Sequence, residues 1–236
     1  MRTRFFFLVL SFFVFSCNEN PYQLSFSEEI VSTPSNSLVH ITIPKAKGNT
    51  LVSEKINSKI ESLISQAINI GDPDKKMPPL KAQIDSFNIQ FQKFKEDFPD
   101  SPMVWEAQVD GEVLYQSSEI ITIAITIYTN TGGAHGITTI SFLNFDASSG
   151  ESLENTSLFN DLDDFKALAK TYFLEEIKGK ETDYWNLDDF QLPANIGFSE
   201  DGIILLYNVY EIAPYSSGVT EFNIPFEKAE SYLNYH

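Results

Sequence analysis

Arginine is nearly absent from this chain of 236 residues: Arg2 and Arg4 are the only two. The remaining basic residues are 14 lysines, set against 33 Asp and Glu, and the formal charge is −17. A surface of that sign repels phosphate backbones, and without arginine it has no planar fork to grip them. Nucleic-acid binding is excluded on these grounds, and a nucleotide site is not expected. Cysteine occurs once, at Cys17, so neither a disulfide framework nor a cysteine-based zinc site is available. Three histidines, His40, His135 and His236, show no H-x-x-x-H spacing, and neither a metal nor a cofactor is expected. No run of eighteen apolar residues occurs, so a spanning helix is not expected.

What remains is ordinary globular composition, 42% apolar, 14% aromatic and 21% charged. The start is basic, and Phe5 to Phe15 is apolar apart from Ser11, which reads as a secretory h-region. Ser16 and Cys17 follow directly, in the manner of a bacterial lipobox, where the cysteine is diacylated and becomes the mature N-terminus. The expectation is a signal peptide over 1–16, a lipid-anchored spacer over 17–36, and an exported protein held at the bacterial cell envelope. Plain signal cleavage beside an incidental cysteine is the alternative.

Along the body, Val39, Ile41 and Ile43 alternate in a strand that Pro44 is expected to end. Asn49 or Thr50 caps a helix to about Ile68, with Val52, Ile56, Ile60 and Ile64 on its apolar stripe. A second helix starts near Pro79, and Leu80, Ile84, Phe87, Phe91, Phe94 and Phe98 follow at helical spacing. From Trp105 the period becomes two. Trp105–Tyr115 reads as a hairpin turning at Asp110-Gly111. Ile121, Ile123, Ile125 and Ile127 share one face of the next strand, and Ile137–Phe145 returns after a glycine-rich turn. A helix opens at Asp161 or Asp163, followed by an acidic irregular stretch over 179–195. A hairpin around 198–210, a strand over 219–224 and a short helix over 226–233 complete the chain. Helices in blocks and strands joined by hairpins give an α+β fold, with antiparallel sheets packed against a few helices in two small domains of one body. Charge is uneven: residues 17–98 carry nine lysines and ten acids, residues 99–236 five lysines and 23 acids.

Two motifs are candidates for function. Gly132, Gly133, His135 and Gly136 lie in a run too glycine-rich for an element interior; glycine permits positive φ and close backbone approach there. His135 either bonds to backbone within a turn or lines a groove and meets a partner. Tyr210, Glu211, Pro214 and Tyr215, followed by Gly218, form a loop that presents aromatic and acidic groups. Glu211 has no placed second carboxylate, so acid–base catalysis is weakly supported. Asp161, Asp163 and Asp164 suit a helix N-terminus better than a calcium loop, which needs a mid-loop glycine and a distal Glu.

The run Tyr128–Gly136, with Asn144-Phe145-Asp146, Leu158-Phe159, Tyr207–Tyr215 and Glu221–Phe226, resembles the RsiV/PdaC-like family over about residues 36–233. The resemblance implies a PdaC-like N-terminal domain over 37–135 and an RsiV-like C-terminal domain over 136–236. It also implies an envelope binding module, which in the RsiV branch binds lysozyme. Sigma-factor regulation is not expected to carry over, because sixteen residues before Cys17 leave no room for a sigma-binding segment. Deacetylation is not expected either, since these histidines cannot assemble the Asp/His/His set of such enzymes. The expected partner is therefore a cationic protein such as lysozyme, with peptidoglycan or another glycan as the alternative and a cell-wall-modifying enzyme disfavoured. Cys17→Ala is expected to release the protein from the membrane fraction and abolish labelling by radioactive palmitate; unchanged retention without label would refute lipidation.

Overall fold

Six strands between residues 25 and 153 build the larger sheet: β1 (Ser25–Ile30), β2 (Val39–Lys47), β3 (Glu106–Gln116), β4 (Ile120–Asn130), β5 (Ile137–Asp146) and β6 (Ser152–Leu153), hydrogen-bonded in that order. The structure is a computed structural model that describes residues 24–72 and 77–235. The expected signal peptide, Cys17 and the start of the spacer lie outside those residues. Every neighbouring pair is antiparallel except β2–β3. That parallel pair needs a crossover, which the helices α1 (Thr50–Ala67) and α2 (Leu80–Asp97) supply. A smaller antiparallel sheet joins β7 (Asn195–Ser199), β8 (Gly202–Tyr207) and β9 (Thr220–Pro225). It is preceded by α3 (Leu162–Glu176) and followed by α4 (Phe226–Ala229). The fold is α+β. No helix among the described residues is long and apolar enough to cross a membrane.

The apolar stripes fall where their spacing puts them. Val52, Ile56, Ile60 and Ile64 of α1 and Leu80, Ile84 and Phe87 of α2 are buried against Ile121, Ile123, Ile125 and Ile127 of β4. Farther along α2, Phe91 and Phe94 are only partly buried and pack on Trp105, with ring centroids 5.8 and 5.5 Å away. A second core gathers Phe165, Ala169 and Phe173 of α3 with Ile203, Leu205 and Tyr207 of β8, and Ile120 reaches into it from β4. Asp161 caps α3, its side chain accepting from the Asp164 N–H at 3.0 Å, and Asp163 and Asp164 occupy the first turn. The acids sit where the helix dipole favours them.

Three expectations need correction. β3 does not turn at Asp110-Gly111: Asp110 pairs with Thr126 and Gly111 with Ile125. Glycine is required there for close packing, since a Cβ would stand 2.8 Å from both Ile125 Cδ1 and Pro44 Cδ. The turn comes at Ser117, whose Oγ accepts from the N–H groups of Glu119 and Ile120 at 3.1 and 3.2 Å. β2 continues through Pro44, because its pairing with β3 stops at Thr42 and the strand tolerates a missing N–H beyond that point. The expected spacer becomes strand at Ser25, where β1 finds six partners on β2. The expected division between residues 135 and 136 lies in the loop of the β4–β5 hairpin, which is paired from Ile120↔Asp146 to Thr129↔Ile137.

Polar side chains join the two sheets. The wholly buried Thr122 of β4 donates from Oγ1 to Asn144 Oδ1 at 2.7 Å and accepts from the Phe198 N–H at 3.0 Å. Asn144 Nδ2 donates to the Ile196 carbonyl at 2.8 Å, and Asn195 Oδ1 accepts from the Phe142 N–H at 2.9 Å. Asn144→Ala strands buried partners on both sheets, so it is expected to destabilise the protein by about 1–3 kcal/mol in urea unfolding. An unchanged midpoint would show that the joint is dispensable.

Candidate functional site

Both candidate motifs lie on loops, and the structure brings them together. In the β4–β5 loop, Asn130 Oδ1 accepts from the Gly132 N–H at 3.0 Å. Gly132 has φ +95°, a conformation suited to glycine. Gly136 lies so close to the Tyr128 ring that a Cβ would overlap it. His135 is exposed, and its Nδ1 lies 2.9 Å from the Gly136 carbonyl. A carbonyl only accepts, so Nδ1 is the donor in this contact. Gly133 has no positive φ, and a Cβ there would meet only the His135 carbonyl at an ordinary 3.5 Å. The backbone requirement belongs to Gly132.

The loop after β8 is held by its own polar groups. Asn208 exchanges two hydrogen bonds with Ile140 of β5, each 2.8 Å, as a neighbouring strand would. Glu211 is exposed, yet both carboxylate oxygens are engaged: Oε1 accepts from the Ala194 N–H and Oε2 from the Asn208 N–H, each at 2.9 Å. This is a staple across the loop rather than the geometry of a general acid. The Ile212 carbonyl accepts from the Trp185 N–H at 2.9 Å, and Ala213 is buried. Pro214 leads into a single helical turn over Tyr215–Ser217, which ends at Gly218 with φ +73°.

These constraints bring three rings together, two of them stacked and the third tilted against them. His135 and Tyr215 are 4.2 Å apart between centroids at an interplanar angle of 27°, and Tyr210 lies 5.6 Å from Tyr215. Tyr210 itself has φ +68°, an uncommon conformation for a bulky residue. Tyr210 and Tyr215 are 52% and 40% exposed, so the stack is a surface feature and no core contact explains it. Trp185, 48% exposed, joins the same loop through its backbone; as one of only two tryptophans, in an otherwise polar stretch, it was a signal the motif reading passed over. Beneath the loop, the Tyr207 hydroxyl donates to the Gln191 carbonyl at 2.5 Å. Burial first, and the Glu211 charge second, hold that phenol well above its ordinary range. Glu221 on β9 is likewise pushed up, by burial and then by Glu176. Among the described residues no three His, Cys, Asp or Glu are grouped to hold a metal ion.

The family model described as Deacetylase PdaC matches residues 31–138, and that described as Protein of unknown function (DUF3298) matches residues 156–227. A crystal structure of a DUF3298 family protein from Pseudomonas aeruginosa PAO1 is similar at 17% identity and a TM-score of 0.58, over 90% of this chain and 94% of that one. A DUF3298 member from Bacteroides fragilis NCTC 9343 is similar at 21% identity and a TM-score of 0.60, over 89% of this chain and 94% of that one. No curated protein matches the chain. The fold is thus the two-domain α+β arrangement seen in DUF3298 proteins. A PdaC-type region followed by a DUF3298 region is the pairing characteristic of RsiV/PdaC-like proteins.

The loop geometry separates neighbouring glycines. Gly132→Val is expected to lower stability by about 1–2 kcal/mol, because a β-branched residue is strained at positive φ. Gly133→Val is expected to cost less than half as much in the same thermal melt; equal losses would contradict the assignment.

Proposed function

We propose that this protein is an exported envelope lipoprotein, anchored through Cys17, that binds a cationic protein on the His135–Tyr215–Tyr210 stack. The observation that carries the reading is the exposure of three adjoining rings on the part of the chain that holds 23 acids and five lysines. Tyrosine faces attract lysine and arginine side chains, and rigid aromatic groups make strong anchors at low entropic cost. The acidic field steers a basic partner toward them. Lysozyme is the example that the RsiV resemblance implies. Binding rather than catalysis fits Glu211, whose carboxylate is engaged by two backbone N–H groups. A glycan ligand is the second reading, favoured by the exposed Trp185, whose backbone N–H bonds to the Ile212 carbonyl in the loop between the two tyrosines.

Surface plasmon resonance with a basic lysozyme separates these readings. Association is expected to slow severalfold between low and physiological salt while dissociation changes little, as in steered binding. Tyr215→Ala is expected to weaken binding roughly tenfold or more at either salt concentration. Binding to peptidoglycan fragments, with none to lysozyme, would replace this reading with the second.

A further inference from the structure

We propose that a basic protein seated on the ring stack also rests on an apolar ledge of the first domain, made of Phe98, Met103 and Val104. The proposal depends on the function proposed above and extends its site to a segment outside both sequence motifs. These three side chains are 58%, 44% and 66% exposed, within seven residues of one another. Large apolar groups clustered at that density on a surface mark interaction sites more often than isolated ones do.

The ledge is continuous with the loop cluster. A Cβ on Gly132 would stand 2.7 Å from Met103 Sδ, so the methionine lies directly on the loop that carries His135. Pairing of Glu106 with Asn130 brings the entry to β3 beside the exit from β4 and fixes that neighbourhood.

It is also backed by rigid structure. Trp105, next to Val104, is buried among Phe87, Phe91 and Phe94 at centroid distances of 5.5 to 5.8 Å, and Phe98 packs on Phe94 at 5.3 Å. Lys95 Nζ donates to the Ser101 carbonyl at 2.7 Å, and the Ser101 N–H to the Phe98 carbonyl at 3.1 Å. A partner therefore meets a surface already ordered, with little entropy left to lose on binding.

The rim identifies the partner's sign. Glu96, Asp97, Asp100 and Glu106 are exposed along the ledge segment, none is in a salt bridge among the described residues, and they outnumber Lys93 and Lys95 two to one. An apolar centre with a net acidic border matches a partner whose own apolar patch is bordered by lysine or arginine. Methionine, with its flexible thioether, suits such a contact.

The test uses the full chain in detergent, with a basic lysozyme as the probe. Val104→Asp adds a negative charge, so it discriminates between field and contact. If only the acidic field mattered, binding would be unchanged or tighter. Burial of the ledge predicts instead a loss of tenfold or more, shared by Met103→Ser, with the thermal midpoint unaltered. Leu51→Asp adds the same charge at a 64% exposed site at the opposite end of the sheet, and is expected to leave affinity within twofold. Normal binding by Val104→Asp and Met103→Ser, with loss in Tyr215→Ala, overturns the ledge and leaves the ring stack standing. Equal losses in Val104→Asp and Leu51→Asp also overturn it. Failure of the unaltered chain to bind lysozyme at low salt overturns the ledge together with the function on which it rests.

Discussion

The buried hydrogen bonds of Thr122 and Asn144 are the constraint on which the rest of the molecule depends. β4 has isoleucines on one face, packed under α1 and α2, and a threonine on the other at a depth where water cannot satisfy it. That hydroxyl donates to Asn144 on the neighbouring β5, and β7 lying across β4 completes the arrangement, with the Phe198 N–H aimed at the hydroxyl and the Ile196 carbonyl on Asn144. Apolar burial alone would let the sheets slide on each other; directional bonds between buried groups fix one register. Two regions matched by separate family models therefore behave as one body. Asn208 and Asn195 continue the same device along the edge of β5, where side-chain amides bond to strand backbone and block addition of another chain.

The ring stack follows from that register. Asn208 bonded to Ile140 delivers the loop after β8 to the end of β5, where the turn bearing His135 begins. Tyr210 then accepts a left-handed backbone, a conformation that costs of order 1–3 kcal/mol and persists only where the surroundings enforce it. Glu211 is the enforcing group, through its bonds to Ala194 and Asn208. An acid that the motif offered as a chemical participant is thus what orients the neighbouring aromatic ring.

Elements with a single buried face were legible in the sequence. The spacing of the α2 seam from Leu80 to Phe94 and the isoleucine alternation of β4 encode one-sided burial, and both elements form where the patterns fall; Phe98, the last residue of the seam, lies past the end of α2 and is exposed. Misreadings arose where tertiary contact changes what a residue means. Gly111 looks like a turn residue alone, but its partner strand and Pro44 make it a site of close approach. Pro44 looks like a terminator until the early end of β3 pairing is known. β1, with its Ser, Glu and Phe, carries no clear alternation and becomes a strand only because β2 offers it an edge. At the candidate site the residue types were readable and their adjacency was a fair inference from loops at strand ends. Trp185 and the Met103 ledge were not, since no local pattern links residues so distant in sequence.

Strand direction has a mechanical consequence. Leu24, where the described chain begins, bonds through its carbonyl to Gln116 at one end of the large sheet, while the turn bearing His135 lies at the other, beyond the eleven residues of β4. A pull exerted between a bound partner and the N-terminal side of the chain acts nearly parallel to the strands. Ladder hydrogen bonds run across the strands, so they bear such a load side by side in shear and must fail together. The six β1–β2 pairs between Ser25↔Lys47 and Ile30↔Thr42 share that load at the sheet's edge. Under the anchoring and binding proposed above, such a molecule would be oriented along its stiffest axis.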